Sequence, residues 1–179
     1  MRYHIDKKEI CKSKICTARF IFLSFLVVLV LGLGFALPIT QASATTTVSI
    51  ADLSSQPGDT VTTPVLISNV QNYGTGTINI SYDPAVVHIT AVSSGPYSTV
   101  TDWNANNTMG FVIISAWNIT GVSGDVVFAN VTFNAVGTAD SSTPLNLDIT
   151  TLKDTGYNDI PATVNNGSFS IESEGETVP

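Results

Sequence analysis

The sequence predicts an all-β fold, a single β-sandwich or jelly roll, between Thr45 and Ile171. Short runs that alternate between apolar and polar residues recur along this segment, and clusters rich in Gly, Pro, Asn and Asp separate them at regular spacing. No stretch repeats its apolar residues with the period of a helix. The segment spans 127 residues, from 45 to 171, which is enough for a hydrophobic core without disulfides or metals.

The centre of the predicted fold is a pair of strands joined by a hinge at Asp83-Pro84. Proline has no N–H to donate to a neighbouring strand, and the aspartate carboxylate can bond the turn backbone, so the chain is expected to turn here. Alternation on either side of the hinge predicts one buried face for each strand. These faces are expected to hold Ile78, Ile80 and Tyr82 before the hinge, and Val87, Ile89 and Ala91 after it.

Two strands and a loop are predicted before this pair. The first strand contains Val48 and Ile50, and Gln56–Asp59 has the Pro-Gly pattern of a turn. The second strand is predicted at Val61–Ser68, where the proline at position 64 indicates an edge strand or a bulge. Gln71–Gly76 is predicted to be a loop.

After the pair, the polar stretch 93–110 has room for one short strand at Thr99–Trp103. Phe111–Trp117 is almost wholly apolar, which is typical of a strand buried on both faces or flanked by loops. A turn is predicted at Gly121–Asp125. The strand that follows, Val126–Val136, alternates so that Val127, Ala129, Val131, Phe133 and Ala135 are expected on one face, and Phe128, Asn130, Thr132 and Asn134 on the other.

The last predicted elements are strands at Pro144–Leu152 and Val164–Ile171, with a loop at Asp154–Asp159 between them. The tail at 172–179 is acidic and contains Gly and Pro, so it is predicted to be disordered.

Residues 1–44 have the pattern of an export signal. Six of the seven Lys and Arg residues lie before residue 20, an uncharged apolar run extends from Phe20 to Leu37, and Ala42-Ser43-Ala44 gives a small-x-small cleavage pattern. The run of 18 residues is also just long enough to span a bilayer, so an uncleaved membrane anchor is the competing interpretation. Both interpretations predict a domain that is secreted or held at the cell surface.

The chain after this segment is acidic and has no cysteine. From Thr45 onward, nine Asp and three Glu stand against one Lys, a formal charge of −11. Such a surface repels phosphate backbones, which argues against nucleic-acid binding. Cys11 and Cys16 both precede the apolar run, so the exported part has neither a disulfide nor a thiol nucleophile.

Four blocks along the acidic segment resemble the cohesin domain family. They are P-G-D-T-V at 57–61, Y-D-P-A-V-V at 82–87, V-V-F-A-N-V-T-F at 126–133 and I-P-A-T-V-N-N-G-S-F-S-I at 160–171. The resemblance covers 46–171, and it implies a jelly-roll sandwich of about nine strands that has no catalytic activity. It also implies a partner, a dockerin domain, which is a small helical module that carries calcium; this chain is expected to need no cofactor of its own.

The resemblance places the dockerin site on one face of a sheet. Carried over position by position, it nominates Thr75, Thr77, Asn79, Trp117, Asn118 and Asn130 as partner-binding residues. Well-known cohesins have Asn and Asp near positions 75 and 77, where this chain has threonines.

Catalytic and metal-binding residues have little support in the sequence. His88 is the one histidine after residue 44, and strand alternation puts it on the solvent face, away from any triad. The acids that could pair as in a glycosidase lie at or near turns, where aspartate is common for its backbone hydrogen bonds: they are Asp102, Asp125, Asp148, Asp154 and Asp159. Asp154 and Asp159 are also candidate calcium ligands, but their loop lacks the EF-hand pattern and a plain hairpin is favoured.

Two alternative functions stay open beside the dockerin receptor. A carbohydrate-binding module, with polysaccharide as its ligand, would need at least two coplanar, exposed rings among Tyr73, Tyr97, Trp103, Trp117 and Tyr157. A glycosylated surface or adhesion module would use N-x-[ST] triplets, which occur at Asn79, Asn106, Asn118, Asn130 and Asn166. The sequence favours an exported, non-catalytic dockerin receptor over both.

Overall fold

The computed structural model describes residues 44–173, and all regular structure in that range is β. The strands are β1 (Thr46–Ile50), β2 (Leu53–Ser55), β3 (Thr60–Ser81), β4 (Val87–Ser94), β5 (Thr99–Asn106), β6 (Phe111–Ala135), β7 (Ser142–Asp154), β8 (Ala162–Asn165) and β9 (Gly167–Ile171). The predicted all-β class is therefore confirmed. The predicted export segment, apart from its last residue, and the tail beyond 173 lie outside the described residues. Within the described range, no helix is long and apolar enough to cross a membrane.

The nine strands form one curled sheet that folds into two layers. Layer one consists, in order, of β8, β1, residues 60–67 of β3, residues 126–135 of β6, and β4. Layer two consists, in order, of β2, β9, β7, residues 75–81 of β3, residues 111–117 of β6, and β5. The two long strands β3 and β6 therefore belong to both layers, and they pair with each other in each of them.

Where β3 and β6 pass from one layer to the other, they bend together and keep their pairing. Val70 lies opposite Gly124 and Tyr73 opposite Val122, with register shifts between these pairs. Asn69 and Asn72 in β3 and Gly121 and Gly124 in β6 have positive φ angles, which Asn and Gly adopt more readily than other residues. The predictions of a loop at Gln71–Gly76 and a turn at Gly121–Asp125 are therefore wrong, because the paired partner strand holds both bends in the sheet.

The hydrophobic core lies between the two layers. Ile78, Ile80 and Tyr82 are buried, as the alternation predicts, and so is Phe133. Phe133 of layer one packs against Phe169 of layer two, with 5.9 Å between the ring centroids. All nine strands and the buried core lie between Thr46 and Ile171, within one compact unit. This segment therefore carries its own core and can fold independently of the residues before it.

Two β-bulges reverse the predicted inward and outward faces locally. Val65 lies opposite Ala129 and Leu66 opposite Val127, so Phe128 has no partner in the register. Phe128 was expected on the face opposite Phe133, but the bulge turns it into the core as well, and its ring lies 6.3 Å from that of Tyr73. A second bulge at Thr90 leaves Ala91 exposed, although it was expected to face the core.

Two predicted strands also differ from the structure. Phe111–Trp117 is not buried on both faces, because Val112, Ile114 and Ala116 face the core while Ile113 and Trp117 are exposed. The predicted last strand, Val164–Ile171, is two strands, since the chain leaves β8 in layer one and enters β9 in layer two at Asn166.

Candidate functional site

The outer face of layer two is formed by four neighbouring strands, β7, β3, β6 and β5. Its side chains point away from the core because the alternate residues Ile78, Ile80, Ile114 and Ala116 point into it. Strand register aligns the outward residues in three rows. From β7 to β5 the rows are Asp148, Asn79, Ile113 and Asn104; Thr151, Thr77, Ser115 and Asp102; and Lys153, Thr75, Trp117 and Thr99.

The structure brings most of the predicted partner-binding residues together on this face. Thr75, Thr77, Asn79 and Trp117 share it, and Asn118 lies at its end directly after Trp117. Asn130 does not belong to the group. It lies on the outside of layer one, opposite Pro64 and Ser93, and its side-chain amide donates to the Ser94 carbonyl at 3.2 Å. The expectation that Asn79 and Asn130 share one face is therefore wrong.

Hydroxyl groups in the middle of the face are bonded to one another or to the backbone. The Thr77 and Ser115 hydroxyls lie 3.0 Å apart across β3 and β6. The Thr75 hydroxyl donates to the Ala116 carbonyl at 3.2 Å, and that of Thr101 donates to the Ser115 carbonyl at 3.2 Å. These groups therefore stabilise the strand pairing and have less capacity left for a ligand.

Asn79 stands out among the polar residues of this face. Its Oδ1 atom is covered, and within residues 44–173 it has no hydrogen-bond partner. A covered carbonyl oxygen without a donor destabilises a fold, so its presence here needs an explanation. Because this oxygen is covered, it cannot itself contact another molecule, and its cost falls on the stability of the fold.

The end of the face near Trp117 is apolar and exposed. Trp117 is 48% exposed, Ile119 75% and Tyr157, in the loop between β7 and β8, 78%. Trp117, Ile119 and Tyr157 surround a hollow of about 220 Å³. Sequence reasoning did not nominate Ile119, and it considered Tyr157 only for sugar stacking. The alternation that leaves Ile113 and Trp117 exposed, continued by two residues, would have found Ile119, whereas no alternation reaches Tyr157 in its loop.

The five aromatic residues considered for sugar stacking do not share one surface. Tyr73 is fully buried, its hydroxyl lies 3.1 Å from that of Ser98, and burial raises its pKa to about 12. Trp103 lies opposite the inward-facing Ile114, whereas Trp117 faces outward, so the two tryptophans lie on opposite sides of layer two. Tyr97 occupies the turn between β4 and β5. The rings are thus distributed over several surfaces, and Trp117 and Tyr157 are the two that lie at one hollow.

The loop at 153–159 does not fit a cation. The Asp154 carboxylate accepts hydrogen bonds from the Gly156 and Asn158 backbone N–H groups and from the Asn158 side-chain amide, which lowers its pKa. Asp159 forms an ion pair with Lys153. Both candidate calcium ligands therefore already have donors, and no group of three or more His, Cys, Asp or Glu residues that could hold a metal occurs in the described part of the chain.

The predicted acids are also too dispersed for a carboxylate pair on this face. Asp148 and Asp102 lie on β7 and β5, with β3 and β6 between them. At about 4.8 Å per strand, three steps separate their backbones by roughly 14 Å, beyond the roughly 5–9.5 Å of glycosidase pairs. Asp125 accepts a hydrogen bond from the Asn69 backbone N–H, and His88 lies opposite Asn134 in layer one.

The five N-x-[ST] triplets lie in different surroundings. Asn79 is half-buried within layer two, while the side-chain amides of Asn118 and Asn130 donate to the carbonyls of Tyr97 and Ser94. Asn106 accepts hydrogen bonds from the turn that it starts. Asn166 is exposed at the bend between β8 and β9, where its Oδ1 accepts a hydrogen bond from the Leu147 N–H.

Comparison with known proteins agrees with this architecture. A family model described as the cohesin domain matches residues 46–171. A non-cellulosomal cohesin from the archaeon Archaeoglobus fulgidus is 26% identical and superposes with a TM-score of 0.64, covering 73% of this chain and 93% of that one. No curated protein sequence matches the chain.

Two further solved structures share the fold. A cohesin from Clostridium acetobutylicum is 23% identical with a TM-score of 0.61, covering 74% of this chain and 94% of its own. A type I cohesin–dockerin complex from Clostridium thermocellum matches at 16% identity with a TM-score of 0.62, covering 72% of this chain and 99% of that one.

Proposed function

This chain belongs to the cohesin family, and we propose that it is a receptor for a dockerin-type module, which docks on the outer face of layer two. The family is one of non-catalytic binding modules, so no reaction is assigned to the chain. The observation that supports the proposal most directly is that Thr75, Thr77, Asn79 and Trp117 lie together on this face, with Ile113 exposed among them.

The dimensions of the face suit a protein partner. Four strands at about 4.8 Å spacing and eight residues at about 3.3 Å each make a surface of roughly 19 by 26 Å. This area is roughly 500 Å², about three fifths of the roughly 800 Å² that each partner buries in an ordinary protein interface, so the loops at the ends of the face would supply the rest. Exposed aromatic and aliphatic residues among polar ones, as here, are typical of such interfaces.

We also propose that the domain works outside the cell, secreted or held at the surface by its N-terminal segment. The basic start, the apolar run and the small-x-small site of residues 1–44 support this part of the proposal. In that setting the chain would tether a partner protein. Calcium would belong to the dockerin, because the candidate carboxylates of this chain are already occupied by its own N–H and ammonium donors.

Calorimetry against a panel of calcium-loaded dockerins tests the proposal. We expect at least one to bind the domain from Thr45 onward and to be released when calcium is chelated, since the dockerin needs the metal to fold. Thr77→Arg should abolish this binding, because it places a bulky charge at the centre of the face.

Thr132→Arg is the matched control. Thr132 is also half-buried and also shares a hydrogen bond with a hydroxyl across strands, that of Thr62 at 2.8 Å, but it lies on the outside of layer one. The Thr132→Arg substitution should leave dockerin binding unchanged. No heat with any dockerin would count against the receptor function, whereas binding that survives Thr77→Arg would show that the binding face is misplaced.

A further inference from the structure

The hollow at the end of the face is bounded by residues from three strands and a loop. Trp117 and Ile119 of β6 form one side, and Tyr157 forms the other. Gly74 and Thr75 lie between them, because β3 runs between β6 and β7 in layer two. Its volume is about 220 Å³. An apolar cavity of about 150 Å³ is large enough for benzene, so the hollow has room for one leucine or isoleucine side chain.

The fold holds this hollow open in advance. Tyr157 has a positive φ of 64°, which a non-glycine residue adopts only when its surroundings enforce it. Hydrogen bonds within the same loop fix this conformation: the backbone N–H groups of Gly156 and Asn158 donate to the Asp154 carboxylate. Gly74 lets β3 approach that loop, since a Cβ at this position would lie 2.6 Å from the Asp154 carbonyl carbon. The exposed Tyr157 ring is therefore carried by a strained loop whose conformation is fixed by its hydrogen bonds and by its packing against β3.

Most of the polar side chains that line the hollow are already hydrogen-bonded. The Asn118 amide donates to the Tyr97 carbonyl at 2.8 Å, and its oxygen accepts from the backbone and hydroxyl of Thr120. The Thr155 hydroxyl is bonded to the Asn72 side chain, and the Thr75 hydroxyl to the Ala116 carbonyl. Within the described residues, the Tyr157 hydroxyl and the Trp117 indole N–H have no such bond. A sugar needs more groups than these two to bond its hydroxyls, whereas an aliphatic side chain needs none. The chemistry of the hollow therefore selects an apolar side chain.

Charges elsewhere on the face indicate what the partner should carry besides that side chain. Lys153, the only Lys or Arg after residue 44, is paired with Asp159. Asp148 and Asp102 lie on the two edges of the face. Neither forms an ion pair, since no other salt bridge occurs in the described residues. Asp148 lies in the row of Asn79 and Asp102 in the row of Thr77. A partner surface with Lys or Arg farther along the face from its apolar residue would complement this field.

We propose that the hollow is an anchor site for a single aliphatic side chain, of leucine or isoleucine size, presented by a basic protein surface. This inference rests on the proposed receptor function, because the anchored side chain would belong to the docked module. It makes Tyr157 and Ile119 specificity residues, which set which partners bind tightly. A buried aliphatic anchor in a preformed pocket is where binding energy concentrates in protein interfaces.

The first test needs no natural partner. N-acetyl-leucinamide and methyl β-glucopyranoside are titrated into the ¹⁵N-labelled domain at millimolar concentration, and amide chemical shifts are mapped. We expect leucinamide to shift Gly74, Ile119, Thr155 and Tyr157, and the glucoside to shift none of them. Shifts scattered over the surface, or a glucoside that binds the hollow more tightly, would overturn the proposal.

Two substitutions and a control make this test specific. Tyr157→Asn removes the ring but keeps a residue that tolerates positive φ, and Ile119→Thr keeps a β-branched side chain. Each should weaken leucinamide binding by about fivefold or more, because apolar contact area is lost. Val164→Thr makes the same kind of change at an exposed valine in layer one and should have no effect. Unchanged leucinamide binding in both hollow variants would refute the anchor site.

The second test uses any dockerin that binds in the calorimetric panel. Tyr157→Asn and Ile119→Thr should each reduce its affinity at least tenfold, and Val164→Thr should not. If a dockerin binds all variants equally, the receptor function stands and the anchor inference fails. If no dockerin binds but leucinamide maps to the hollow, the anchor site stands and its occupant is a different protein.

Discussion

Asn79 should destabilise the free domain, and Asn79→Val should therefore stabilise it. The Oδ1 of Asn79 is covered, and within the described residues it lacks a hydrogen-bond donor. Valine removes that unsatisfied oxygen and introduces a side chain that β-strands favour. The substitution sits in the middle of β3, between Ile113 of β6 and Asp148 of β7.

The expected gain follows from two effects. Leaving a buried acceptor unsatisfied costs about 1–3 kcal/mol, and the range of strand propensities is about 1 kcal/mol. Allowing for partial hydration of a half-buried side chain, we expect the free energy of unfolding to rise by about 1–2 kcal/mol. Urea unfolding followed by circular dichroism measures it, and the midpoint should move up while the slope stays constant.

Asn118→Val is the control, because it should change the free energy of unfolding in the opposite direction. The Asn118 amide is also on this face, but it donates to the Tyr97 carbonyl and accepts from the N–H and hydroxyl of Thr120. Losing these hydrogen bonds should lower stability by about 1–2 kcal/mol. If both substitutions change stability in the same direction, or if Asn79→Val is destabilising, the reasoning about Asn79 is refuted. A stabilised Asn79→Val that binds dockerin less well would identify the residue as one kept for binding.

Three other predictions concern the core, the response to pH and modification. Phe133→Ala should lower stability by about 3–5 kcal/mol, since the ring is fully buried against Phe169; an unchanged unfolding midpoint would contradict the described packing. Burial raises the pKa of Tyr73 to about 12 from 10.0, so the fold favours the protonated phenol. This pKa difference contributes to the free energy of unfolding by an amount of order 2–3 kcal/mol, which is complete below pH 10 and is lost as pH rises from 10 to 12. Tyr73→Phe should flatten this part of the stability profile, and equal slopes in both proteins would exclude the effect. In a host that modifies N-x-[ST] sites, peptide mapping should find Asn166 occupied and Asn79, Asn118 and Asn130 bare, because only the first is exposed; full occupancy at Asn79 would rule out docking on this face.

Local alternation predicts the parts of this fold that depend on neighbours in sequence. Ile78, Ile80 and Tyr82 are buried as expected because β3 is regular there and its side chains alternate strictly between the faces. The same rule fails at Phe128 and Ala91, where a bulge adds one residue to a strand. Whether a bulge forms depends on the register with the partner strand, which a single strand's sequence does not encode.

The candidate site was predicted in part for the same reason. Thr75, Thr77, Asn79 and Trp117 were placed together because each lies on a regular stretch of β3 or β6. Asn130 was misplaced because β6 crosses from layer two to layer one between Trp117 and Val126. Tyr157 reaches the site only through a loop whose conformation is set by hydrogen bonds to Asp154, and the sequence pattern alone predicted no more than a hairpin there.

The two threonines at positions 75 and 77 affect which partners the face can select. Cohesins with Asn and Asp near these positions would present an amide and a carboxylate to a partner, whereas here the Thr77 hydroxyl is bonded to Ser115 and the Thr75 hydroxyl to the Ala116 carbonyl. The middle of the face therefore has little capacity to select a partner by hydrogen bonding. Selection between partners must therefore depend on the carboxylates of Asp148 and Asp102 at the edges of the face and on its apolar end at Trp117. A dockerin suited to this chain should accordingly carry an aliphatic residue for the apolar end and basic residues for the edges of the face.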